Sequence, residues 1–98
     1  MLSAGRIVFS YVVAKLDEDT FGVFRLNGFN TTYPKLITSA GSRMDAKEAL
    51  KALALEVAQK MGGSIVEADV PQKHLAQFRD WARGMQIVTS KATIVLAG

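Results

Sequence analysis

His74 is the only histidine in the 98-residue chain, and cysteine is absent. Those two counts remove disulfides, thiolate metal sites, cysteine nucleophiles and histidine-rich metal cages. A hydroxyl nucleophile needs a histidine base held by a third group, and nothing in the sequence pairs His74 with such a group. Asp17, Glu18 and Asp19 are hard-cation chemistry. Consecutive turn residues point in different directions, however, and the run reads as a solvated hairpin tip. Glu67 and Asp69 share one strand face and read as its wet side. A glycosidase-type acid–base pair would also need an apolar-lined cleft. The stretch 38–43, T-S-A-G-S-R, offers small residues and an arginine ahead of a helix, as anion sites do. An Asp45 carboxylate at that same helix start would compete with phosphate, so the stretch reads as a capped turn. The expectation is no enzyme, no metal and no cofactor.

Two constellations suggest binding instead. Lys73, Arg79 and Arg83 lie within one helical stretch with Trp81, and an aromatic beside cations can stack on a base while the cations meet phosphates. Asp80 interrupts that charge, and a net charge of +3 gives only modest attraction to nucleic acid. The second constellation is apolar. Phe9, Tyr11 and Val13 form one face of a strand whose other face is apolar too. Leu55 falls opposite the core stripe of its helix, and Trp81 sits at the edge of its own. Such residues mark a contact surface for a partner.

The elements that must position these residues follow from periodicity. Residues 6–16 alternate Ile7, Phe9, Tyr11 and Val13 against Val8, Val12 and Leu16. A strand apolar on both sides is covered on both faces or central in a sheet. Residues 17–20 carry turn chemistry, and 21–27 resume as a strand, which makes a hairpin. Residues 28–34 read as loop and 35–38 as a short strand.

The clearest helix spans 45–61, rich in Ala, Leu, Lys and Glu. Asp45 with Glu48, or Ser42 with Asp45, starts it, and Gly62–Gly63 ends it. Ala46, Leu50, Leu53, Ala54, Val57 and Met61 form its apolar stripe. Residues 64–70 alternate as a strand. Pro71 suits the first position of a second helix, whose stripe is Leu75, Phe78, Ala82 and Met85. Residues 86–96 return to strand, with a turn at Ser90–Lys91. The opening hairpin, the short strand and the D-A-K-E-A-L start of the first helix resemble the element order of HicB-like antitoxin domains.

The chain therefore reads as a single domain, 1–98, of class α+β. It is two-layered, with a mainly antiparallel sheet in the order β-β-(β)-α-β-α-β and both helices packed on one face. The longest apolar run, 7–14, is far short of the about 20 residues that span a membrane, and a cytoplasmic location is expected. Apolar residues make up 49% of the chain, more than one such core hides. The function expected from this is a small protein-binding module, regulatory or inhibitory. It would self-associate, as a homodimer, and bind or block a protein partner. Phe9, Tyr11, Val13, Leu55 and Trp81 would form the interface. The alternative is a nucleic-acid-binding module using Lys73, Arg79, Arg83 and Trp81.

Overall fold

The computed structural model describes residues 6–27, 34–70, 72–82 and 84–98. All of the expected loop 28–34 but Pro34, the helix-starting role of Pro71, and Arg83 lie outside the described residues. The chain runs β1 (Arg6–Asp17), β2 (Thr20–Asn27), β3 (Lys35–Ala40), α1 (Arg43–Lys60), β4 (Ser64–Ala68), α2 (Gln72–Trp81), β5 (Gln86–Ile87) and β6 (Ala92–Ala97). The strands form one sheet in the order β3-β2-β1-β6-β4, and β5 pairs with the far half of β1. Every pairing is antiparallel. The expected α+β class and antiparallel sheet with two helices are what the structure shows.

The β1–β2 hairpin turns on Glu18 and Asp19. No residue other than glycine has a positive φ among the described residues, so this is not the type I′ turn that best matches strand twist. The mismatch is absorbed by a bulge, because the register slips between Lys15 and Asp17. The Asp19 N–H donates to Asp17 Oδ1 at 2.9 Å, closing an Asx turn. That bond, with help from Thr20, holds the Asp17 carboxyl below its usual range. The acidic run is thus the hairpin tip.

A second bulge sits where β1 meets β6, between Ile7 and Phe9. It brings Val8 and Phe9 both to the side that carries Tyr11 and Val13. On that side Val8, Tyr11, Val13, Val23 and Val95 pack against Ala46, Leu50, Ala54 and Ala58 of α1. On the other side Val12, Ala14, Phe24, Leu26, Ala92 and Ile94 pack against Phe78 of α2 and Ala82 just after it. The helices therefore lie on opposite faces of the sheet. This corrects the expectation of two layers with both helices on one face. The reason is in β1 and β6: both are apolar on both sides and central, so each face demands its own cover.

The helix α1 suits its crossing. It must carry the chain from the β3 edge to the β4 edge, and its 18 residues span about 27 Å. Five strands at about 4.8 Å spacing span roughly 19 Å. Its buried stripe is mostly alanine, which lets it approach closely while the strands supply the large side chains. Ser42 is the N-cap, accepting from the Asp45 N–H at 3.1 Å. Gly62, at φ +66°, follows the last turn in the left-handed conformation that ends helices. Met61, placed on the stripe by periodicity, is 42% exposed, while Ala58 is buried instead.

The expected final strand is broken into β5 and β6, and the break has its own chemistry. The β1 edge is served by β6 up to Tyr11 and by β5 from Ala14. Between them, the Val13 carbonyl accepts from the Val88 N–H at 2.8 Å. The Val13 N–H donates to Thr89 Oγ1 at 3.3 Å. A side chain thus replaces a missing strand partner at a fully buried residue. Thr89→Val leaves that N–H without its acceptor. Chemical denaturation is expected to show a loss of about 1–3 kcal/mol, with Thr89→Ser retaining most of the stability. An unchanged midpoint in Thr89→Val would show that the bond contributes nothing.

Candidate interaction surface

The structure separates the five residues expected at a protein interface. Tyr11 and Val13 are buried beneath α1. They serve the core and present no surface, because the strand face expected to meet a partner is the one α1 covers. Phe9 is partly buried beside them. Its ring meets Tyr11 edge-on at 6.2 Å, and the Arg25 guanidinium lies 4.7 Å from its centroid. The same guanidinium hydrogen-bonds Tyr11. Burial pushes the Tyr11 hydroxyl above its ordinary value, and Arg25 partly opposes this.

Leu55 and Trp81 remain at the surface, but on helices that cover opposite faces, so they do not form one patch. Trp81 has company that the sequence did not suggest. Its ring is 5.8 Å from Phe24 and 6.3 Å from Phe78, and those two rings are 5.3 Å apart. Phe24 and Phe78 are buried, whereas Trp81 is 43% exposed. Leu36 of β3, 44% exposed, lies against the same cluster. A Cβ at Gly22 would stand 2.8 Å from Leu36 Cδ1, 2.9 Å from Phe24 Cε1 and 3.2 Å from Leu16 Cδ1. These side chains close over Gly22, and the missing methyl is what admits them. Trp81 and Leu36 are thus both exposed, and each adds apolar surface beside the buried Phe24 ring. Leu36 was not singled out from sequence because its strand is too short for alternation to be read.

The patch adjoins a sheet edge. Among the described residues, β3 and β4 form the two ends of the sheet. The β4 edge is charged, with Glu67 3.7 Å from Lys51 and nearby Asp69 2.8 Å from Lys91. Charge of this kind resists strand addition. The β3 edge carries Lys35 at its start and no carboxylate. A bulge opposite Val23 and Phe24 turns Leu36 and Ser39 to the α2 face and Ile37 and Thr38 to the α1 face.

The nucleic-acid constellation is only partly in view. Arg79 is exposed on α2. Lys73 belongs to the first turn of α2, but its side chain, like that of His74, lies outside the described residues, as does Arg83. The indole of Trp81 is partly committed to Phe24 and Phe78. Three other cations, Lys47, Lys51 and Lys91, gather on the α1 side, across the sheet from Arg79. A groove of about 390 Å³ beside α2 is lined by Leu75, Phe78, Met85 and Ile87, with Arg79 and Gln86 as its polar groups.

No group of three or more metal-ligating side chains occurs among the described residues, and none of their helices is long and apolar enough to cross a membrane. No family model, curated protein or solved structure matches the chain.

Tyr11 supplies a direct check on this arrangement. Tyr33→Phe leaves it as the only tyrosine, and its phenolate absorbance is expected to rise with a midpoint above 10.0. The folded state then holds the proton more tightly than the unfolded chain. Its contribution is complete below pH 10 and is lost as pH rises through the higher value. A midpoint at or below 10.0 would mean that the ring is not buried as described.

Proposed function

We propose that this chain is a non-enzymatic binding module that self-associates through the β3 edge and the Trp81–Leu36 patch, and that it acts by contact with protein. The observation that carries the reading is the half-exposed Trp81, held over buried Phe24 beside exposed Leu36, at an edge without carboxylates. Tryptophan in such a setting is the commonest kind of interface anchor. Face-matching supports a second copy as the occupant. An antiparallel β3–β3 ladder centred between Ile37 and Thr38 sets Leu36 opposite Ser39 of the partner, both on the α2 side. It sets Ile37 opposite Thr38, both on the α1 side. Paired residues share a face in such a ladder, and a twofold axis makes the contact self-complementary.

Nucleic-acid binding has less support. Of its cations only the Arg79 side chain is described, and Lys47, Lys51 and Lys91 lie across the sheet from it. Electrostatic binding to phosphates grows with the number of contacts made together.

Sedimentation of the full chain is expected to give a dimer that Leu36→Lys and Trp81→Ala each convert to monomer. Their circular dichroism spectra should remain those of the wild type. Leu55→Lys, on the outer side of α1, should leave the dimer intact. A wild type that stays monomeric at high concentration ends the self-association reading. Quenching of Trp81 by a single-stranded oligonucleotide at low salt, reversed by added salt, would favour the nucleic-acid reading in its place.

A further inference from the structure

On the α1 face, away from Trp81, a small cleft of about 50 Å³ opens between α1, β4 and the turn that joins β5 to β6. Its polar lining is rich in donors. Lys47 and Lys51 project from α1, Lys91 from the turn, and Thr89, Ser90 and Thr93 add three hydroxyls. Glu67 is the only carboxylate in the described lining, and it is engaged with Lys51 at 3.7 Å. Lys91 is held by Asp69 at 2.8 Å. Lys47 has no carboxylate partner among the described residues.

The hydroxyls point to a ligand more specifically than the lysines do. Thr93 is 4% exposed, yet among the described residues its hydroxyl has no hydrogen-bond partner. A buried hydroxyl without a partner costs free energy unless something completes it. Thr89 accepts the Val13 N–H through Oγ1, which leaves its own proton to donate elsewhere. Hydroxyl-bearing residues from the turn and β6 therefore share one lining with lysines from α1 and the turn, and its one carboxylate is already engaged by Lys51. The volume exceeds the roughly 10–15 Å³ that one water needs, by enough for a small ion and not for an organic ring system.

We propose that this cleft binds a phosphate group, as the free ion or as the terminal group of a small phosphomonoester. Lys47 and Lys91 would supply charge, and Thr89 and Thr93 would supply hydroxyl donors. Charge-assisted hydrogen bonds of this kind are the strong ones. The site does not rest on the self-association reading, because it lies on the opposite face of the sheet.

The test is an amide NMR titration of the full chain with inorganic phosphate, with glycerol phosphate, and with sodium chloride at matched ionic strength. Saturable shifts at residues 89–91 and 93 are expected with phosphate and not with chloride. Equal response to both phosphates identifies the bare group as sufficient, and response to one alone identifies the source. Lys47→Gln and Thr93→Val should each weaken binding by about tenfold or more, with Thr93→Ser close to wild type. Thr93→Val should leave the thermal midpoint no lower than wild type, since the hydroxyl it removes has no partner. Shifts that chloride reproduces, no shift with either phosphate, or undiminished binding by a folded Thr93→Val would overturn the proposal.

Discussion

One strand organises this molecule. β1 is twelve residues long, and three other strands pair with it. Its two sides are both apolar, with Tyr11 and Val13 on one and Val12 and Ala14 on the other, and all four are buried. A strand with two dry faces can be stable only if both faces are covered. Two helices are available, so one goes to each side. α1 crosses the sheet from edge to edge, and the shorter α2 sits over Phe24 and Leu26. The bulge at Val8 is part of the same solution, because it turns an extra large side chain toward α1. The alanines of α1 fit that demand, since the strands already supply the bulk.

Local chemistry made much of this legible. The hairpin, the Ser42–Asp45 helix start, the glycine stop after Met61 and the break near Ser90 are each dictated by a few adjacent residues. The face taken by each helix was not legible in that way. Val12 and Val13 look alike in sequence, and periodicity says only that both sides want cover. An excess of apolar residues suggests a partner when only one core is expected, but here it is the signature of a sheet covered twice. For the same reason Tyr11 and Val13 looked like an interface and are core. Trp81 was visible because its type and its place on the helix edge are unusual. Leu36 was not, because its place beside Phe24 depends on Gly22 and on how β3 pairs with β2, which no local pattern encodes.

Covering both faces leaves the margins as the places where this protein can meet something else. At one margin an aromatic cluster stops short of being closed, and Trp81 and Leu36 remain half in water. At the other, charges on β4 and the following turn face charges on α1, and hydroxyl groups collect between them. The two margins differ in character. The first offers area and few polar groups, which suits another protein surface. The second offers little area and many donors, which suits a compact anion.

The neighbour of β1 on its second edge has a consequence for how the chain reaches this form. β6 pairs with residues 6–11 through positions 93–97, so the two described strands farthest apart in sequence close the middle of the sheet. The local hairpin can form early, but its exposed edge waits for β6, and the loop entropy of that closure comes before its reward. During synthesis, β1 and β2 would emerge as an apolar ribbon with one side unpaired until β6 arrives. Ribbons of that kind recruit other strands. The time between the first strand and the last is therefore the interval in which this small protein is most exposed to misassembly.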